Sequence, residues 1–198
     1  MKKYILIASS VFFLTACDKT DFDLGKPNDP PVNLPQMIYT DLGDTSITFG
    51  KSASFDLDGN GRKDIYFGTL LVGDPILKQD EQQWLVGSSF DARLPVNEQE
   101  SIPVLKYQDS ILVQDFSGFH WYNASSVLLA QKVIKEQHSF WEGDWKDASH
   151  RFVPIQLIKE DKLYNGWVEI SFNKSQAKVI VHKAGVSKEP NRYVSAGR

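Results

Sequence analysis

From Met37 onward the chain is written in short runs of β-forming residues, each closed by Gly, Asn, Asp or Pro within roughly ten positions. Residues 47–49 and 54–57 are short runs, and 64–72 is a longer one. In that longer run Ile65, Phe67 and Leu71 share one face while Tyr66, Leu70 and Val72 share the other, so both faces are expected to be covered. Further runs fall at 83–86, 111–114, 152–158, 163–172 and 177–182. Val168, Ile170 and Phe172 alternate with Glu169 and Ser171, and residues 173–176 supply a turn, which predicts a half-buried hairpin. Residues 126–137 read equally as a helix, on the spacing of Val127, Ala130, Ile134 and Gln137, or as a strand. No internal repeat suggests a propeller or solenoid. The expectation is an all-β single domain over residues 36–198, a β-sandwich or jelly roll with at most one short helix.

The body has to be held together without disulfides, because Cys17 is the one cysteine in 198 residues. Stability then rests on packing and on any ion the chain binds. The formal charge is −3, with no basic block or stripe, which argues against a nucleic-acid partner and against electrostatic attraction to anionic lipid. At the N-terminus Lys2 and Lys3 precede an apolar stretch over 4–14 that is too short to span a bilayer, and Ala16 stands before Cys17. This is the layout of a secretory signal with a small-residue cleavage site.

Residues 1–16 resemble a bacterial lipoprotein signal with its lipobox, an ordinary signal peptide being the alternative. The resemblance implies cleavage before Cys17, a diacylglycerol on its sulfur, and fatty acyl chains such as palmitate. Two or more such chains anchor a protein stably. The mature chain would then sit outside the cytoplasm, lipid-anchored to a bacterial membrane, with the outer membrane or cell surface favoured. Asp18 carries two meanings in such proteins, inner-membrane retention in enteric bacteria and surface export in some Bacteroidetes. Residues 17–35 hold Asp18, Asp21, Asp23 and Asp29 with Pro27, Pro30, Pro31 and Pro35, and read as the lipidated cysteine followed by a disordered acidic tether.

The strongest internal motif runs from Asp56 to Asp64, with Asp56, Asp58, Asn60 and Asp64 at loop positions one, three, five and nine. Gly59 and Gly61 stand between them. Calcium takes six to eight hard oxygens, so a tight loop has to turn several short oxygen side chains inward. The Arg62 carbonyl falls at position seven, and three carboxylates, an amide and a carbonyl suit calcium better than zinc. The alternative is a metal-free turn in which Asp and Asn bond their own backbone. The twelfth position is Phe67 rather than a bidentate Glu, and strand-like runs flank the loop. The motif resembles the strand–loop–strand calcium loop of integrin-type FG-GAP repeats and related bacterial surface domains, the following Phe67-Gly68 included. A structural, bracing ion is what this resemblance implies.

A second resemblance lies in Tyr164-Asn165-Gly166-Trp167-Val168-Glu169-Ile170. It is similar to the closing Tyr-Gly-Trp strand of many secreted or lipid-anchored bacterial β-domains, with Asn165 inserted. Residues 138–150 are dense in acid–base groups and read as a polar loop whose tryptophans fold down as lids. A glycosidase pair of Glu142 and Asp144, or zinc between His138 and His150, are the catalytic alternatives, although the spacing fits no compact zinc motif. No nucleophile elbow and no phosphate-cradling glycine loop occurs. The five tryptophans either fill a core or, at Trp121-Tyr122 and Trp141/Trp145, form platforms for sugar rings. The sequence thus points to a non-catalytic envelope lipoprotein whose calcium-braced β-domain binds or supports a partner, an envelope protein or a glycan. A glycan-binding accessory lipoprotein and a carboxylate-dependent hydrolase are the alternatives.

Overall fold

A computed structural model describes residues 33–198. The signal segment, Cys17 and nearly all of the expected tether lie outside the described residues. Thirteen strands follow in order: β1 (Met37–Thr48), β2 (Ala53–Phe55), β3 (Ile65–Asp74), β4 (Gln79–Ser88), β5 (Ala92–Val96), β6 (Ser110–Ile111) and β7 (His120–Tyr122). Then come β8 (Val127–Lys135), β9 (Ser139–Glu142), β10 (Arg151–Lys159), β11 (Lys162–Asn173), β12 (Lys178–Ser187) and β13 (Val194–Ser195). The domain is all-β, with antiparallel pairing throughout and no helix among the described residues.

Two sheets carry the fold. One has the order β1-β12-β11-β10-β5-β7, the other β2-β3-β4-β8-β9, and β6 pairs with β13 separately. One core joins the two large sheets: Ile65, Phe67, Trp84 and Val127 from one pack with Ile47, Ile155, Val168, Ile170 and Val181 from the other. Trp84 spans the interface. Its Nε1 donates to the Ile47 carbonyl at 3.2 Å and its ring meets Phe172 edge-on at 5.6 Å.

The six-stranded sheet is covered on its other face as well. Phe152 and Trp167 point away from the main core and pack with Leu105, Ile111, Trp121, Val194 and Ala196. This corrects the half-buried hairpin: the β11–β12 pair exists, with Asn173 opposite Lys178, but Trp167 and Glu169 on its outward face are buried too. Residues 126–137 resolve as strand β8, not a helix. Leu129 is an extra residue there, because Trp84 faces Ala130 while Leu85 faces Leu128. The bulge puts Val127, Leu129 and Ala130 all into the main core, and Val133 is buried on the opposite face, a spacing that mimics a helix.

Two further expectations are corrected. The outer half of β3 is not covered, since Leu70 and Leu71 are about half exposed and the shared core on this hairpin stops at Phe67 and Trp84. Residues 138–150 are a loop only in part: 139–142 form β9 of the five-stranded sheet, 143–150 are the turn that leads into β10, and Trp145 there is no lid but fully buried, its Nε1 donating to the Ile102 carbonyl. At the domain's start Pro35 is already buried, and the Asn33 carbonyl accepts a hydrogen bond from Arg192 at 2.6 Å.

Candidate metal centre

The Asp56–Asp64 loop closes the β2–β3 hairpin, where Phe55 faces Ile65 across the ladder. Phe67 is buried against Phe55 and belongs to the core. The loop is anchored from inside by Leu57, which has no exposed surface. The Leu57 N–H donates to Asp64 Oδ2 at 2.7 Å and its carbonyl accepts from Thr40 Oγ1 of β1 at 3.2 Å. Asp64 donates its own N–H to the Phe55 carbonyl at 2.8 Å. The hairpin end is therefore tied to both sheets before any ion is considered.

Carboxylate oxygens of Asp56, Asp58 and Asp64 lie within 4.8 Å of one another. Asp56 Oδ1 accepts the N–H groups of Gly59 at 2.8 Å, Asn60 at 3.2 Å and Asp58 at 3.3 Å, and Oδ2 accepts that of Gly61 at 2.7 Å. Gly59 and Gly61 reach φ of 76° and 86°, a region that glycine enters without strain, and these reversals aim the amides inward. Burial works against the Asp56 charge, yet the amides of Gly61, Gly59 and Asp58 outweigh it and hold the carboxyl below its usual range.

Asp64 is in the opposite situation. Burial, reinforced by the charges of Asp58 and Asp56, pushes its carboxyl up to about 6, against the opposing pull of the Leu57 amide and Lys159. The Asp58 side chain is only 1 % exposed and pairs through Oδ2 with Lys159 Nζ of β10 at 2.5 Å. Asn60 turns Nδ2 toward Asp58 Oδ2 at 3.1 Å, and its Oδ1 accepts the Arg62 N–H at 2.7 Å. Arg62 reaches Asp91 at 2.9 Å. A cavity of about 220 Å³ opens beside the loop, lined by Asp58, Asn60, Arg62, Asp64 and Lys159 among others.

The donor set fits a hard cation. The three carboxylates offer only oxygens, and burial together with their mutual repulsion raises the proton affinity of Asp64, a cost that a divalent ion removes. The structure brings Asp56, Asp58 and Asp64 together and places Asn60 on Asp58, while Asn60 presents its amide nitrogen to the cluster and Lys159 supplies the local positive charge. Lys159 was missed by the sequence reading; it lies far along the chain and no spacing marks it.

Three of the groups in the catalytic alternatives have partners of their own. Glu142 accepts from Gln131 at 3.0 Å, His138 stacks on Phe140, and His150 pairs with Glu169. None of the five tryptophans is exposed: Trp84, Trp145 and Trp167 are fully buried, Trp121 is nearly so, and Trp141 packs on Trp84 and Phe172. The inserted Asn165 is a buried clamp that binds Gln156 and the carbonyls of Ile111 and Arg192. No family model, curated protein or solved structure matches this chain.

Proposed function

We propose that this chain is a bacterial envelope lipoprotein, held by lipid on Cys17, whose β-domain is braced by calcium in the Asp56–Asp64 loop. The observation that carries the reading is the meeting of three carboxylates, two of them with buried side chains, at a hairpin end tied to both sheets. The carboxylates of Asp56, Asp58 and Asp64 would hold the ion, with the Asn60 amide oxygen, the Arg62 carbonyl and water completing its shell. Calcium supplies positive charge and coordination there, and its role is to brace the turn. Without a bidentate Glu, affinity belongs in the ~10⁻⁴–10⁻³ M range of extracellular modules. The braced domain serves as a binding or structural module at the membrane surface.

The test is a thermal melt of the full chain, in detergent, with calcium, magnesium or chelator. An ion that binds only the folded state adds RT ln(1 + [L]/Kd), so millimolar calcium is expected to add about 1 kcal/mol and raise the midpoint by a few degrees. Asp58→Asn abolishes that gain. Intact-mass analysis of the same sample checks the address by finding an acylated chain that begins at Cys17. Equal midpoints in calcium and chelator would reduce the loop to a hydrogen-bonded turn.

A further inference from the structure

Three backbone irregularities meet at one place on the six-stranded sheet, on the face turned away from the main core. On β12, Val181 faces Ile170 and Lys183 faces Glu169, which leaves His182 as an extra residue. Opposite it on β1, Asp41 faces Lys183 and Thr45 faces Val181, so the register shifts across residues 42–44, with Leu42 kept in the main core. Asp44 there has φ of 49°, and His150, just before β10, has φ of 48°. Bulges and left-handed non-glycine residues are costly and collect where a side chain has to be aimed.

What they aim is a chain of three side chains. Ser171 Oγ lies 2.9 Å from His182 Nε2, and His182 Nδ1 lies 2.5 Å from Asp44 Oδ1. The carboxylate fixes the tautomer, with Nδ1–H donating to Asp44 and the Nε2 lone pair facing Ser171. The backbone N–H of His150 donates to Ser171 Oγ at 3.0 Å, so the hydroxyl hydrogen is left for Nε2. The His150 ring stacks on His182 at 4.6 Å and 19°, and its Nδ1 bonds the buried Glu169 at 2.6 Å. Parallel rings with both Nδ1 atoms occupied do not converge on a metal. A cavity of about 600 Å³ opens beside this chain of side chains, lined by Asp44 and His182 together with Tyr39, His150, Glu169 and Lys183, while the half-buried Ser171 is reached through His182 rather than standing in the wall.

We propose that Ser171, His182 and Asp44 are the nucleophile, general base and positioning carboxylate of a site that hydrolyses short acyl esters. Ser171 Oγ attacks the ester carbonyl carbon while His182 Nε2 takes the hydroxyl proton. The bond to the alcohol oxygen breaks, and the alcohol leaves with that proton. Water then attacks the acyl-serine and gives a proton to Nε2; the acid departs and Oγ takes the proton back. Lys183, the one Lys or Arg lining the cavity, lies 3.5 Å from Glu169 and would have to share its charge between that carboxylate and the developing oxyanion. The cavity is shallow, with Tyr39 and the Asp44 side chain largely exposed, so it admits a small acyl group on a larger alcohol rather than a long apolar chain. The site shares no residue with the Asp56–Asp64 loop, and its failure would leave the calcium reading intact.

The experiment treats the full chain with a fluorophosphonate, maps the adduct by peptide mass spectrometry, and follows hydrolysis of p-nitrophenyl acetate. The expected result is an adduct on Ser171, absent in Ser171→Ala, and a labelling rate lowered by about 100-fold or more in His182→Gln. Asp44→Asn is expected to lose kcat with KM unchanged, which a merely structural carboxylate would not do. Circular dichroism confirms that each variant is folded. Wild-type protein that carries no adduct on Ser171 and hydrolyses the ester no faster than Ser171→Ala overturns the proposal, as does unchanged labelling in His182→Gln. The wild-type adduct decides the matter even if a variant fails to fold.

Discussion

Asp64 holds the least comfortable charge in the acidic loop, and that discomfort sets a direction for the response to pH. Its carboxyl is pushed up to about 6, against 3.8 for the unperturbed group. In the chelated protein, folded molecules therefore bind the proton between those two values while unfolded ones release it. Stability rises as the pH falls from about 7 toward 4, by up to about 3 kcal/mol. Asp56, Asp115 and Asp147 are held below their usual range, so their contributions are lost only under more acid conditions and leave this window to Asp64. In saturating calcium the trend reverses, because the ion needs the ionised carboxylate. Melting midpoints from pH 4.5 to 7.5, with chelator and with calcium, are expected to show opposite slopes. A flat chelator curve would mean that the three carboxylates do not share one charged site.

Between elements, the decisive contact is the one that β10 makes with the loop. Lys159 Nζ sits on Asp58 and 4.9 Å from the centre of the Tyr164 ring, filling with one charge the place where an ion would bring two. Lys159→Met is expected to tighten calcium binding by about tenfold, some 1.4 kcal/mol, by removing a competing cation. The same change destabilises the metal-free protein by about 3 kcal/mol, because the buried Asp58 loses its partner. Calorimetric titration and a melt in chelator read the two effects separately. The loop itself was legible because its oxygens and glycines are local, whereas Lys159 and the Ser171–His182–Asp44 chain depend on strands that meet only after folding. The same distinction runs through the fold. Strands β10 to β12 announced themselves by apolar runs and alternation, while β8 did not, because the bulge at Leu129 erased its period of two. Short β5 and β7 carry too few residues for any period to show, and β5 contains Pro95 besides.

At the scale of the whole molecule, Trp84 shows how the two sheets are joined, and it predicts that they unfold together. It stands in β4, lies tilted against Trp141 of β9 at 5.2 Å, meets Phe172 of β11 edge-on and donates to the Ile47 carbonyl of β1. One side chain thus engages two strands of each sheet in a fully buried region, where Trp84 and Ile47 are each 1 % exposed. Trp84→Phe keeps an aromatic ring but removes the buried Nε1 hydrogen bond to the Ile47 carbonyl, at about 1–3 kcal/mol, and adds a cavity term on top. A total loss of about 2–4 kcal/mol is expected, a large share of the 5–15 kcal/mol typical of a domain. Because the lost contacts lie between the sheets, urea unfolding followed by far-ultraviolet circular dichroism and by tryptophan fluorescence should shift to lower denaturant together, with unchanged slope. Two separated transitions would show instead that each sheet keeps its own stability and that the shared core does not bind them.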